Sequence, residues 1–244
     1  IVTGRSLTAG KISAVGRVKK AGKKTRFYAW GHERSGKKYF AGRRMRMEGQ
    51  RDKKLKTVTK QLVFAALFAA LCCIGTSVFI VPLPYGYFNM GDMFVLLAGW
   101  CLGPVYGAAA AALGCGLADL LSGYVIYAPI TFLIKGCMAA AAYAVFVLFK
   151  KFIRKSGLDF LVRGISAACA EIIMAFGYFL YETALYGIAG GAASLVGNLL
   201  QGCFGLICGV ILVTILHSIR PVNFLFPKLE QRITLRNKQN YEQK

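Results

Sequence analysis

Six apolar segments, several of them long enough to cross a bilayer, occupy most of this chain, and charged side chains lie inside the second, third and fourth of them. A membrane-spanning helix needs about 20 mainly apolar residues. Asp92, Asp119 and Lys135 lie within such segments. A charge at the centre of a spanning helix costs about 3 kcal/mol or more, so such groups normally face a bundle interior or an aqueous cavity. The sequence therefore predicts a helical membrane protein with a polar pocket inside its bundle.

The predicted fold class is all-α, a polytopic membrane protein with six transmembrane helices. The chain is 56% hydrophobic, which is too apolar for an ordinary soluble domain. We expect a basic, weakly ordered tail at 1–56, a six-helix transmembrane domain at 57–220 and a polar cytoplasmic tail at 221–244. Pro129 opens the fourth segment, where proline suits the first helical turn. The segments are residues 58–79, 91–103, 105–122, 129–150, 160–186 and 193–217.

Basic residues flank alternate ends of the segments. The loops 80–90, 123–128 and 187–192 contain no lysine or arginine. The positive-inside rule therefore predicts that both termini are cytoplasmic and that the protein is a multi-pass protein of the cell membrane. The flanking basic residues are Lys53, Lys54, Lys56 and Lys60 before the first segment, Lys150, Lys151, Arg154 and Lys155 after the fourth, and Arg220, Lys228 and Arg232 after the sixth.

The basic N-terminal stretch allows two interpretations. A lysine- and arginine-rich tail with scattered aromatic residues could bind nucleic acid or anionic lipid. Alternatively, GRRM is the sequence that would result if a purine-rich ribosome-binding site and the start codon after it were translated. Under this interpretation the natural protein starts at Met45 or Met47. Under that second interpretation no nucleic-acid partner is expected.

Aromatic and polar residues gather in and beside the loops without basic residues. Tyrosines there are typical of an interfacial aromatic belt, but amides and carboxylates beside them favour a pocket. Aromatic faces with a few fixed hydrogen-bonding groups suit a flat heterocycle of modest size. The residues concerned are Tyr85, Tyr87, Phe88, Asn89, Asp92, Asp119, Tyr124, Tyr127, Tyr181, Glu182, Tyr186 and Asn198, with Lys135 and Glu171 deeper.

Three further patterns each have a structural and a functional interpretation. Asn198 and Gln201 share a helical face and could hydrogen-bond between helices or face the pocket. Asp119 and Lys135 could form a salt bridge that is only structural. Small residues four apart let helices approach closely, either within the chain or at a docking face for a partner protein; these are Ala65 with Ala69 and Ala66 with Ala70.

Signatures of catalysis are not found in the sequence. Phosphate-loop, dinucleotide-binding and catalytic-triad motifs are absent, and the eight cysteines are scattered through apolar segments without a metal-ligand spacing. The sequence therefore predicts no enzyme, no catalytic residue, no cofactor, no metal site and no ATP hydrolysis by this chain.

The stretch YGYFNMGDMFVLLAGWCLGPVYGAAAAALGCGLADLLSGYVIYAPITFLIKG, the alanine pairs of the first segment and GNLLQG in the last resemble one known family. The chain resembles the substrate-binding S components of energy-coupling factor (ECF) vitamin transporters over roughly residues 57–220. The resemblance implies a six-helix subunit that captures a vitamin or precursor at its outer face. It also implies a transmembrane coupling (T) protein and two cytoplasmic ATPase subunits as partners.

The resemblance further implies functional residues. Ala65, Ala66, Ala69 and Ala70 match the motif that contacts the coupling protein. The chain is most similar to the riboflavin-type branch, in which a lysine follows the asparagine of the last segment by three residues; here Gln201 replaces it, so hydroxymethylpyrimidine and pyridoxine-like rings are equally plausible ligands. The implied substrate-binding residues are Tyr85, Phe88, Asn89, Tyr127, Lys135, Tyr178, Glu182, Asn198 and Gln201.

Two other functions stay open at this point. A stand-alone secondary transporter or channel would use Asp119, Glu171 and Lys135 as a proton or ion relay, although no internal repeat is visible. An intramembrane enzyme would use Asp92 and Asp119 as paired acids, but neither residue lies in a motif that specifies catalysis.

Overall fold

The computed structural model describes residues 27–78, 80–82, 87–153 and 158–219, and almost all of them are helical. The chain divides into two compact units, residues 1–55 and 56–244. The apolar part of the first helix and all later elements belong to the second unit. The elements in chain order are α1 (Phe27–Ser77), β1 (Ile80–Pro82), β2 (Tyr87–Asn89), α2 (Gly91–Leu121), α3 (Ala128–Phe152) and α4 (Asp159–Ser218).

Helix α1 begins well before the apolar segment that it contains. The sequence predicts a weakly ordered tail through residue 56, whereas the structure has helix from Phe27. Lysine, arginine, glutamate, glutamine and methionine are good helix formers, so the stretch before the apolar segment can extend its helix. Residues 1–26 and the predicted tail at 221–244 lie outside the described residues.

Helix α2 folds back on itself at a glycine. Gly103 has φ 83° and ψ −174°, a backbone conformation that is essentially restricted to glycine. A Cβ added to Gly107 would lie 2.9 Å from the Cα of Gly99, although residues eight apart in a straight helix are separated by about 12 Å. The two halves of α2, residues 91–102 and 104–121, therefore lie side by side, as the predicted break between the second and third segments requires.

Helix α4 is interrupted in the same way. Gly187 has φ 79° and ψ 171°, and a Cβ on Gly191 would lie 3.0 Å from the carbonyl oxygen of Phe179. The two halves of α4 are residues 159–186 and 188–218. The sequence predicts a loop at 187–192, whereas the structure needs only Gly187 for the break, because a glycine can adopt this conformation without steric cost.

The segment between α1 and α2 forms a short antiparallel hairpin. Strand β1 pairs with β2 so that Ile80 lies opposite Asn89 and Val81 opposite Phe88. The backbone N–H of Met90 donates to the carbonyl of Gly75 at 3.2 Å. This bond fixes the end of the hairpin against the end of α1, and places Asn89 beside the start of α2.

The outer surface of the bundle is apolar. In the described part of the chain, four helices are long and apolar enough to cross a membrane: residues 50–77 of α1, and α2, α3 and α4. Large apolar side chains point away from the core, such as Val105 at 71% exposed and Ile188 at 74% exposed. Helices satisfy their own backbone hydrogen bonds, which the hydrocarbon region of a bilayer requires. The predicted class, an all-α membrane protein, is confirmed.

Two glycines of α2 differ in how closely they meet their neighbours. A Cβ on Gly114 would overlap the carbonyl oxygen of Ala69 in α1 and would lie 2.8 Å from the Cβ of Cys72. A Cβ on Gly116 would meet other atoms only at 3.5 Å or more, which is ordinary van der Waals contact. Gly114 therefore allows α1 to pack directly against the backbone of α2.

We expect Gly114→Ala to destabilise the bundle by about 1–3 kcal/mol, the usual cost of overpacking, because α1 must move away from α2. Gly116→Ala is the matched control in the same helix: it should not destabilise the bundle, because the added methyl group makes only ordinary contacts and alanine is the better helix former. Reversible unfolding by SDS in mixed micelles measures both changes. Equal losses in the two variants would contradict the close α1–α2 contact.

Candidate functional site

A buried ion pair lies at the start of α2. The Nζ of Lys135 in α3 bonds the Oδ1 of Asp92, and the two side chains are 1% and 0% exposed. The Nε2 of Gln201 in α4 donates to the other carboxylate oxygen, Oδ2, at 2.7 Å. Both oxygens of Asp92 are thus occupied by donors from two other helices, which is what a buried carboxylate requires.

The same glutamine connects the hairpin to α4. The Oε1 of Gln201 accepts from the backbone N–H of Asn89 at 2.9 Å and from its Nδ2 at 3.1 Å. The Oδ1 of Asn89 in turn accepts from the backbone N–H of Gly91 at 2.8 Å. Asn89 and Gln201 are 112 residues apart in the chain, so this network joins the hairpin, α2, α3 and α4 at one point.

A cleft adjoins this network and shares Asn89 and Gln201 with it; its empty space, open solvent included, is about 310 Å³. The residues that line it come from β2, α2, the start of α3 and both halves of α4. They are Asn89, Asp119, Tyr127, Thr131, Tyr178, Glu182, Asn198 and Gln201.

Tyrosine side chains form the aromatic part of the cleft. The hydroxyls of Tyr178 and Thr131 are hydrogen-bonded at 2.9 Å. The ring of Tyr127 packs edge-on against Tyr181, with centroids 5.6 Å apart, and its hydroxyl donates to that of Tyr186 at 3.4 Å. These contacts fix the ring orientations, so the cleft has a largely preformed aromatic wall.

Glu182 is held by the second half of α4. The hydroxyl of Ser194 lies within hydrogen-bond distance of its Oε2 and, at 3.0 Å, of the carbonyl oxygen of Gly191, and its single hydrogen can donate to either. The Nδ2 of Asn198 lies 3.5 Å from the same carboxylate oxygen. Because the chain turns back at Gly187, residues from both halves of α4 meet here and place this carboxylate in the cleft wall.

The carboxylate of Glu171 lies beside the network, next to Asp92. Glu171 is 7% exposed, and neither of its carboxylate oxygens has a partner among the described residues. A Cβ on Gly205 would lie 2.7 Å from the Cβ of Asp92 and 2.8 Å from the Oε1 of Glu171. Gly205 therefore makes room for two acidic side chains at the base of the site.

Six of the nine predicted substrate-binding residues line the cleft, namely Asn89, Tyr127, Tyr178, Glu182, Asn198 and Gln201. Lys135 does not line it, since its ammonium group is bound to Asp92. Phe88 packs edge-on against Phe204 with centroids 5.9 Å apart, and Tyr85 lies outside the described residues. Their roles in binding a substrate stay predictions.

Two cleft residues are not in the predicted set. Thr131 is missing from it, although Tyr127, Thr131 and Lys135 recur every four residues and so share one helical face. Asp119 is predicted to lie in the polar region, and one interpretation pairs it with Lys135. That pairing is wrong, because Lys135 bonds Asp92 instead; sequence spacing does not determine which acid on α2 reaches α3.

The small-residue pairs of α1 separate into an inner and an outer pair. Ala65 and Ala69 are half-buried and pack against the core of the bundle, and Ala69 contacts Gly114. Ala66 and Ala70 are exposed. Helix packing within the chain therefore accounts for Ala65 and Ala69. Of the two pairs, Ala66 and Ala70 are the one that lies on the exposed surface of α1.

The fold and the cleft together define the class of protein. Apolar helices of membrane-spanning length enclose a small cleft lined by tyrosines, amides and carboxylates. The family model for the ECF-type riboflavin transporter, S component, matches residues 56–218. The chain belongs to this family of transporter components, which confirms the resemblance seen in the sequence; it is not a family of enzymes.

Two individual proteins are also similar to this chain, at 30% and 21% sequence identity. An uncharacterised protein of Pyrococcus woesei, named for its position in a gap 3′ region, is 30% identical over 129 residues, which are 53% of this chain and 81% of that protein. A solved structure, described as the S component of a bacterial ECF transporter, is 21% identical, with a TM-score of 0.47 over 66% of this chain and 96% of that chain.

Proposed function

We propose that the protein is the substrate-capture (S) subunit of an ECF-type, ATP-driven importer for a B vitamin or a vitamin precursor. The observation that carries the proposal is the cleft, in which aromatic rings, amides and carboxylates from β2, α2, α3 and α4 face one small volume. Family membership supports the class of function. Riboflavin, hydroxymethylpyrimidine and pyridoxine-like rings are the candidate ligands, since Gln201 occupies the position of the riboflavin-type lysine.

The proposed topology has six membrane spans at residues 57–220 and both termini in the cytoplasm of a multi-pass cell-membrane protein. The breaks at Gly103 and Gly187 support it, because each divides one long helix into two halves that fold back on one another. The first half of α2 is about 18 Å long at 1.5 Å per residue, shorter than the hydrocarbon core of about 30 Å. Asp92 at its start would therefore lie below the outer membrane surface.

Capture would begin at the outer face. A ligand would stack on tyrosine rings and hydrogen-bond to Asn89, Glu182 and Asn198, and the β1–β2 hairpin would close over it. The bonds of Asn89 to Gln201 support this role for the hairpin, since they connect it directly to the cleft wall. Lys135 would act indirectly, by holding Asp92 and through it Gln201.

Energy for release into the cytoplasm would come from partners. We propose that a transmembrane coupling (T) protein docks on the small-residue face of α1 and that two cytoplasmic ATPases drive the cycle. The exposure of Ala66 and Ala70 supports a docking face at these two positions, and Ala65 and Ala69 would support it from inside the bundle.

The direct test is native mass spectrometry of the purified protein, followed by calorimetric titration with riboflavin, hydroxymethylpyrimidine, thiamine and pyridoxine. We expect one of these compounds, or a close relative, to bind below micromolar Kd. Absence of any such ligand would refute this proposal. Uptake into liposomes by this chain alone, without ATP, would instead favour a stand-alone transporter.

Within that test, Asn198→Leu should weaken the ligand identified by about tenfold or more, because it removes a hydrogen-bonding amide from the cleft. Leu199→Ala is the matched control. Leu199 follows Asn198 in the chain but is 51% exposed on the outer surface of the bundle, so this substitution should leave Kd unchanged. Equal effects of the two substitutions would show that the cleft wall does not contact the ligand.

A further inference from the structure

The cleft wall is acidic. Two of its eight lining residues, Asp119 and Glu182, carry carboxyl groups, and none of the eight is lysine, arginine or histidine. Lys135 is the nearby cation along α3, but its ammonium group is bound to Asp92 beneath the cleft. Glu171 adds a further buried carboxyl group next to the same network. A ligand in this cleft therefore meets acidic groups with no basic side chain among its lining residues.

Each amide of the cleft already directs one of its two N–H groups to a partner within the protein. An N–H of Asn89 donates to Gln201, and an N–H of Gln201 donates to Asp92. An N–H of Asn198 points to Glu182 at 3.5 Å. An ionised carboxylate accepts hydrogen bonds and cannot donate them. The two carboxyl groups of the cleft therefore offer acceptors that a ligand with N–H or O–H groups can use.

From this arrangement we propose that the ligand is a nitrogen heterocycle that bears a cationic or amino group and has no phosphate or carboxylate. An anionic ligand would place a like charge against Asp119 and Glu182, which interfaces avoid because such juxtaposition is costly. A cation or an amino group would instead form charge-assisted hydrogen bonds to them. This inference rests on the proposed capture function and specifies the substrate class of the same cleft.

A matched series of ligands tests the proposal. Pyridoxamine, pyridoxine and 4-pyridoxate share one ring and differ at a single substituent, which is cationic, neutral and anionic respectively. We expect their affinities for the full chain, measured by calorimetry in nanodiscs, to fall in that order with a gap of at least about 100-fold between the first and the last, as hydrogen bonds to charged groups imply. Riboflavin with its 5′-phosphate and thiamine with its monophosphate provide two further pairs.

Two substitutions assign the selectivity to the cleft wall. Glu182→Gln should reduce the gap between pyridoxamine and 4-pyridoxate by about tenfold, since one hydrogen bond to a charged group is replaced by a neutral one. Asn198→Asp adds a carboxyl group at the same place and should widen the gap, which provides a readout if the first variant fails to fold. A gap that neither variant changes would overturn the assignment to these residues.

The two proposals fail in different ways. If an anionic or phosphorylated member of any pair binds as tightly as its uncharged or cationic partner, the substrate class is wrong while the capture function stands. If no compound in the series binds, and no vitamin-like ligand co-purifies, the capture function itself fails and the substrate class falls with it.

Discussion

Lys135→Met is expected to destabilise the bundle by about 3–5 kcal/mol, the usual cost of removing one partner from a buried ion pair. The substitution keeps an apolar side chain of similar length but leaves the Asp92 carboxylate without its cation at a position that is 0% exposed. Reversible SDS unfolding in mixed micelles measures the loss. Lys151→Met is the matched control, because Lys151 lies on an exposed face of the same helix, and it should change stability by less than about 0.5 kcal/mol.

The double variant Asp92→Asn with Lys135→Met separates the ion pair from simple loss of packing. Neutral side chains of similar size often replace buried ion pairs at little net cost, and the amide introduced at position 92 would still offer a carbonyl oxygen to the Nε2 of Gln201. We therefore expect the double variant to be more stable than Lys135→Met alone. If the two losses simply add, the two side chains do not interact in the folded protein.

Gln201→Leu is expected to have the second largest effect, because this side chain makes three hydrogen bonds in the network. The substitution leaves the backbone N–H of Asn89 and the Oδ2 of Asp92 without partners. Each unsatisfied buried group costs about 1–3 kcal/mol, so the total loss should be about 3 kcal/mol. Ligand affinity should fall by about 100-fold, since Gln201 also lines the cleft.

Amide hydrogen exchange identifies the cause of that loss. Without Gln201, protection should fall at residues 87–90, where the hairpin is attached to α4. Cys203→Ala is the control two positions along the same helix, on an exposed face, and should leave both exchange and affinity unchanged. Unaltered protection in Gln201→Leu would show that the hairpin is held by other contacts.

The chain's polar residues could be identified without the structure, but their partners could not. Asp92 and Asp119 both lie in apolar segments, and either one could have faced Lys135. The structure pairs Lys135 with Asp92, because the first half of α2 runs beside α3 at a depth and rotation that bring those two side chains together. Neither depth nor rotation follows from helical periodicity, which relates residues only within one helix.

Thr131 shows the opposite case. Its place on one face with Tyr127 and Lys135 follows from spacing alone, so the pattern was sufficient to predict it. The reversals at Gly103 and Gly187 could be predicted only in part. Glycine permits such a conformation, but among the described residues only three glycines have a positive φ, so the presence of a glycine does not show where the chain reverses.

The sequence by itself determined that this is a helical membrane protein and which family it belongs to, because segment length, hydropathy and local motifs are properties of contiguous residues. Only the tertiary structure decided that Asn89, Glu182 and Gln201 converge on one cleft while Lys135 is held beneath it by Asp92. The physical reason is that hydrogen bonds between helices depend on how those helices pack, and packing is set by close contacts between residues far apart in the chain.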